Sequence, residues 1–223
     1  MDEPDIDPQL HRDALRGLER INIASATGSV IWGPVAGLWR RRQTGVLTLL
    51  DVACGAGDVA IGIARRARRE GVELAVEGCD ISPTAIAHAT EQARRADENV
   101  LFFEHDVLNT PLGRFYDVVV CSLFLHHLDE SDAVRLLRTL DVAARSLVIV
   151  SDLDRSRLGL ALAWLGTRLL SRSPVVHVDA IRSVRAAFTR AEAAALAARA
   201  GLTSHRLTTH WPCRWRLVVE HTI

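Results

Sequence analysis

Lysine is absent from this sequence: all 27 cationic side chains are arginine, and they balance 27 acidic ones. Without a lysine amine there is no Schiff-base catalysis, and a Walker phosphate loop lacks the cation that reaches its phosphates. A balanced charge also argues against a broad nucleic-acid footprint, which depends on clustered cations. The short basic runs Arg40 to Arg42 and Arg65, Arg66, Arg68 and Arg69 are expected to be solvated faces. Cysteine is scarce. Cys54, Cys79, Cys121 and Cys213 form no C-x-x-C pair, and three of them fall at strand ends, so buried thiols in a reducing compartment are expected. No H-E-x-x-H or similar ligand spacing occurs, so no metal is expected. Long apolar runs are missing too. The opening MDEPDIDPQL is acidic and carries no leader-like core, which points to the cytoplasm. The longest apolar stretch, Leu158 to Leu170, contains Arg168 and is too short for stable membrane insertion.

What is present is an alternation of Val-, Ile- and Leu-rich runs with helix-period segments, the pattern of crossover units on a parallel sheet. Strands are predicted at 46–52, 74–80, 100–105, 116–122 and 146–151, and helices at 59–69, 84–96 and 130–143. All five strands read as continuous apolar runs, as expected when both faces are covered. Ser82-Pro83 supplies an N-cap and a first-turn proline. After Asp152 the rhythm breaks for residues 153–188, then resumes with a helix at 190–200 stopped by Gly201 and two closing strands at 202–209 and 214–222. At 223 residues without repeats or linkers, the chain reads as one domain. Residues 10–42 form an N-terminal helical cover, 46–152 the core, 153–188 an insertion, and 189–223 the closing helix and strands.

The stretch Leu49 to Asp58, LLDVACGAGD, ends a strand in an acid and turns through Gly55 and Gly57 into a helix. With Ala60 it fits the loose dinucleotide pattern, but the acids favour another ligand. A pyrophosphate would be repelled by Asp51, whereas S-adenosylmethionine has no phosphate and carries a sulfonium and an ammonium. Asp80, ending the second strand, is placed to accept from both ribose hydroxyls, as in NAD sites as well. Asp106, after the third strand, is placed to accept from an adenine amino group, with Val107 donating from its backbone. Ligands in open α/β sheets bind at these carboxyl ends.

In order and spacing, LLDVACGAGD, GCDISPTAIAHA, EHDVLNTPL and YDVVVCSLFLHHLDE resemble the successive motifs of class I S-adenosylmethionine-dependent methyltransferases. The resemblance spans about Val46 to Asp152. It implies an α/β, Rossmann-like sheet of seven mostly parallel strands with the last one antiparallel, and S-adenosylmethionine as cofactor, leaving as S-adenosylhomocysteine. The contacts it implies are Asp51, Ala53, Gly55, Gly57, Asp80, Ile81, Asp106, Val107 and Ser122. Ala53 and Ala56 stand where the family more often has Gly and Thr. The HHL after the fourth strand and the Arg20-Ile21-Asn22 stretch resemble the ubiquinone and menaquinone biosynthesis branch. HVDAIRSVRAAFTRAE resembles small bacterial methyltransferases of polyketide-derived phenols or pyrones.

In-line methyl transfer asks an enzyme for alignment, exclusion of water and, for an acidic nucleophile, a base. The segment CSLFL stands where DNA amino-methyltransferases carry a D/N-P-P-Y loop, which disfavours nucleic acid as acceptor. His126 and His127 are the candidate bases, with Asp152, His177 and His210 as further candidates. All five tryptophans lie outside the 46–152 core, so an apolar, partly aromatic pocket is expected, with Trp32, Trp164, Trp211 and Arg185 toward the acceptor. Arg182 is a second candidate to pair an acidic acceptor. The expected partner is a small hydrophobic phenol, quinol or polyketide-derived molecule, methylated at oxygen, by a monomer or homodimer. Methylation of a quinol ring carbon, an NAD(P)-dependent oxidoreductase and a non-catalytic cofactor-binding partner are the alternatives.

Overall fold

The computed structural model describes residues 27–42, 45–170, 174–202 and 204–221. Seven strands, Leu47–Val52 (β1), Leu74–Asp80 (β2), Val100–Glu104 (β3), Tyr116–Ser122 (β4), Ala144–Leu153 (β5), His205–His210 (β6) and Arg214–Glu220 (β7), form one sheet in the order β3-β2-β1-β4-β5-β7-β6. β1 to β5 are mutually parallel, and β7 runs against β5 on one side and β6 on the other. The order turns back between β1 and β4. In an open α/β sheet that reversal leaves a crevice at the carboxyl ends of the strands.

The apolar runs split by residue parity onto two faces. Leu47, Leu49, Val118, Val120, Leu147 and Ile149 share one buried layer with helices Thr27–Arg42 (α1), Asp58–Glu70 (α2) and Pro83–Ala96 (α3). Leu50, Val52, Val119, Cys121, Val148 and Val150 share the other with Glu130–Ala143 (α4) and Arg190–Ala200 (α7). A strand buried on both faces has no polar positions to alternate, which is why these segments read as unbroken apolar runs. Helix ends follow local chemistry. Ser82 Oγ accepts from the Ala85 amide at 3.2 Å ahead of Pro83, Thr189 and Glu192 form a reciprocal capping box, and Gly201 closes α7 at a φ of 89°.

The insertion resolves into two helices, Arg157–Leu170 (α5) and Pro174–Ala186 (α6), packed on each other, and α6 also meets a 3₁₀ turn at Leu125–His127. Here the aromatic-pocket expectation needs correction. Trp215 is buried in the core and donates Nε1–H to the Phe188 carbonyl, and Trp39 packs against the opposite core layer. Trp32, expected at the acceptor, is also a core residue: it donates to Glu70 at the far end of α2 from the Gly loop, under the Arg66 guanidinium. Its amphipathic ring fills space between α1 and α2, a packing role that tryptophan serves as readily as ligand contact. Only Trp164 and Trp211 are exposed. The Arg20-Ile21-Asn22 stretch lies outside the described residues.

Candidate active site

The two loop glycines do different jobs. Gly57 has a φ of 76°, and a Cβ there would come within 2.6 Å of the Phe102 ring and 2.8 Å of Ala89, so it must be glycine for helix and sheet to close together. Gly55, at a φ of 52°, would meet nothing within 4 Å. The open side of the loop is therefore at Gly55, where a ligand can approach the backbone. Ala53, beside it, also has positive φ at 54°, as does Leu123 at 55°, directly after β4. Non-glycine residues held in that region mark the carboxyl ends of β1 and β4 as sites of stored backbone strain.

Asp80 organises the loop. Its Oδ2 accepts from the Gly55 amide and its Oδ1 from the Ser82 amide, both at 2.9 Å. Each carboxylate oxygen retains a second lone pair for a hydroxyl. Ile81, next to it, is two-thirds exposed (66%), an apolar surface standing beside a polar acceptor. Asp106 is more heavily engaged: Oδ1 accepts from the Leu108 and Asn109 amides and Oδ2 from the Asn109 side chain, which holds its pKa below the ordinary value. The turn uses most of this carboxylate's capacity. Val107 is buried and Ser122 half-buried, the latter paired in register with Ser151.

Asp51 is the anomaly of the site. It is buried at 1% exposure and neither carboxylate oxygen makes a hydrogen bond. Burial first, then the neighbouring Asp58 and Asp80 charges, push its pKa well up; the Ala60 amide, outside hydrogen-bonding geometry, only tempers the effect. An unpartnered carboxyl buried beside two further acids is costly as an anion and repels a phosphate. A cationic ligand group would reverse both terms. An amine- and sulfonium-bearing ligand with ribose hydroxyls therefore fits these residues, and a pyrophosphate does not.

Across the reversal point, at the ends of β4 and β5, His126 and Asp152 meet. His126 Nδ1 lies 2.6 Å from Asp152 Oδ1, and the His126 amide donates to Oδ2 at 3.1 Å. Burial opposes ionisation of Asp152 most strongly, but the His126 charge and hydrogen bond with the Leu153 and His126 amides outweigh it, leaving its pKa below the usual carboxylate range. An ionised Asp152 accepts a hydrogen bond from Nδ1–H, so in the neutral ring the free lone pair is on Nε2. These two residues, read from the sequence as separate base candidates, form one dyad.

The other expected site residues are distributed more widely. His127 is exposed with its ring centroid 4.2 Å from that of His126, and His177 is half-buried on α6. His210 ends β6, two strands beyond β5 or roughly 10 Å away, and bonds Thr208. Trp164 is exposed under the Arg168 guanidinium at 4.3 Å, and Arg185 and Trp211 are also exposed. Sequence reasoning missed Arg214. It is buried at the start of β7, with its pKa pushed down to about 10 by burial against the opposing pull of Asp152 and Asp58. Its charge is thus within electrostatic reach of both Asp152 and Asp58. Its available signal was a charged residue inside a strand of otherwise buried neighbours. Among the described residues no group of three His, Cys, Asp or Glu side chains is placed to hold a metal ion.

Comparison with known proteins agrees with this architecture. Residues 49–146 match the family described as "Methyltransferase domain". A curated relative, the 2-phytyl-1,4-naphtoquinone methyltransferase of Nostoc punctiforme, is 35% identical over 83 residues, 36% of this chain and 34% of that protein. The chain thus matches about a third of that relative's length. Among solved structures, magnesium protoporphyrin IX methyltransferase from Synechocystis, with bound S-adenosylhomocysteine, superposes with a TM-score of 0.61 at 21% identity, covering 88% of this chain and 84% of that one. Mitomycin 7-O-methyltransferase superposes at 0.58 and 22% identity, covering 79% and 50%. Residues 49–146 thus match the methyltransferase domain family, and the chain shares the fold of these solved methyltransferases.

Proposed function

We propose that this protein transfers a methyl group from S-adenosylmethionine to the oxygen of a small hydrophobic phenol, quinol or polyketide-derived acceptor. The observation that carries the cofactor half is Asp51: a buried carboxyl without a hydrogen-bond partner, at the strand end that leads into the open Gly55 loop and near the Asp58 and Asp80 charges. The relatives support it, since the Synechocystis enzyme holds S-adenosylhomocysteine and others act on a quinone and on mitomycin.

When bound, the cofactor supplies an electrophilic methyl group on a sulfonium. This chain's residues do the rest. Asp51 offers negative charge to the cationic end, Gly55 lets the ligand approach the backbone, Asp80 accepts from ribose hydroxyls, Ile81 offers apolar contact, and Val107 donates from its backbone. Asp106 and Ser122 border the same edge. His126 Nε2 takes the acceptor's hydroxyl proton while Asp152 fixes the ring and stabilises the imidazolium, the division of labour of a base and its orienting carboxylate. α6, packed on the His126 turn, helps exclude water.

The test is methyl transfer from labelled cofactor across a panel of phenols and hydroquinones. Transfer to oxygen that falls roughly 10²-fold or more in His126→Ala supports the reading. Transfer to no member of the panel would remove the acceptor assignment, and transfer to a ring carbon would move the reaction to C-methylation.

A further inference from the structure

Helix α5 turns several large apolar residues outward. Among its described side chains only Gly159 and Thr167 are buried, the threonine hydroxyl donating to the Ala163 carbonyl at 2.7 Å. Leu158, Trp164, Leu165 and Leu169 are each at least half exposed. Leu158, Leu165 and Leu169 fall at the spacing that places residues on one helix face, roughly 16 Å from end to end. Val178 on α6 and Trp211 are exposed as well. The turn that follows Trp211 abuts the first turn of α5, since a Cβ on Gly159 would touch that of Cys213 at 3.4 Å. Scattered exposed apolar residues mean little, but four large apolar side chains exposed on one helix, with Leu160 and Leu162 only half-buried, make a surface suited to being covered.

Charge identifies the surface that covers it. From Arg155 to Ala186 there are six arginines and one carboxylate, Asp179, in a chain whose net charge is zero. Arg157, Arg168, Arg182 and Arg185 are exposed and enter no salt bridge among the described residues, while Arg155 pairs with Glu192. Arg168 lies over the Trp164 ring. α5 contains no acid. A second copy of this chain docked through the same face would set these arginines against one another about a two-fold axis. An anionic bilayer answers both features, because leucines enter the headgroup boundary, tryptophan sits at that level and arginines meet lipid phosphates.

We propose that the outward face of the α5–α6 hairpin docks this protein peripherally on anionic lipid bilayers. No helix among the described residues is long and apolar enough to cross a membrane, so the association is interfacial. The hairpin that docks is also the one that meets the His126 turn, which places the candidate site beside the lipid and gives a membrane-dissolved acceptor a short path to it. The docking itself rests on the surface alone and not on the methyl-transfer reading.

The test is flotation of the full chain with phosphatidylcholine vesicles, with and without phosphatidylglycerol, alongside sedimentation of the protein without lipid. We expect binding to the phosphatidylglycerol vesicles with a blue shift of tryptophan emission, reversed by high salt. Partitioning should fall roughly tenfold or more in Leu165→Glu/Leu169→Glu and in Arg182→Ala/Arg185→Ala, the scale of lost apolar insertion and of two surface cations. The arginine variant changes only exposed side chains, so it keeps the test valid if the glutamates disturb α5. Equal partitioning with and without the anionic lipid, or no partitioning at all, would overturn the proposal. Self-association abolished by the glutamate variant, without lipid binding, would assign the face to a second copy.

Discussion

The two sides of the carboxyl edge are made differently. On the β1–β3 side each residue proposed to face the cofactor sits within a few positions of its strand end: Asp51 to Gly57 at the end of β1, Asp80 and Ile81 at the end of β2, Asp106 and Val107 after β3. On the β4–β5 side the proposed working parts come from distant segments, with His126 bonded to Asp152, Arg214 within electrostatic reach of Asp152 and Asp58, and α6 packed on the His126 turn. The first side is a set of local turns repeated along a sheet. The second exists only once the sheet has brought β4, β5 and β7 together. Changes on the first side should therefore act on cofactor affinity, and changes on the second on turnover.

The largest effect expected is on the second side. His126→Ala should lower kcat for oxygen transfer by roughly 10²- to 10⁴-fold, the usual contribution of a positioned general base, with cofactor affinity unchanged in calorimetry. Loss of affinity together with turnover would erase the contrast between the sides. The glycines sharpen it within the first side. Gly57→Ala should cost roughly 2–4 kcal/mol of stability, because overlap with Phe102 and Ala89 adds to strain at positive φ. Gly55→Ala, which meets only the backbone strain, should cost about 1 kcal/mol in melting experiments yet weaken the cofactor. Equal melting temperatures for the two variants would contradict the division of roles.

Asp80→Ala should weaken cofactor binding by about 2 kcal/mol, the scale of hydrogen bonds to a charged group, and unchanged affinity would show that no ribose is held there. The smallest effect has an opposite sign in stability. Asp51 has a folded-state pKa above its unfolded one, so it costs nothing where both states are protonated and destabilises increasingly as pH rises above about 4. Asp51→Asn should thus raise the stability of the ligand-free protein by about 1–3 kcal/mol at neutral pH, with the gain fading in acid. Asp152 works the other way. Its depressed pKa gives stability that is present above the ordinary carboxylate range and is lost as pH falls below it, so Asp152→Asn should flatten acid unfolding. Urea melts across pH read both signs.

The same contrast explains what was legible in the sequence. Five strands and their helices could be read within a few residues because double burial leaves continuous apolar runs and caps such as Ser82-Pro83 are local. The acid-flanked loop was readable for the same reason. The His126–Asp152 bond was not, since 26 residues separate the partners and nothing in either segment encodes the other. Tryptophan misled, because Trp32 and Trp215 serve the core with the amphipathic rings that made them resemble pocket residues.

The central claim is that Asp51 awaits a cation, and calorimetry of S-adenosylhomocysteine binding to the wild type and to Asp51→Asn, with NADH as control, tests it most directly. The account predicts binding to the wild type, at least tenfold weaker binding to the asparagine variant as a buried charge partner is lost, and no response to NADH. Nicotinamide binding, or S-adenosylhomocysteine affinity indifferent to Asp51, would contradict it.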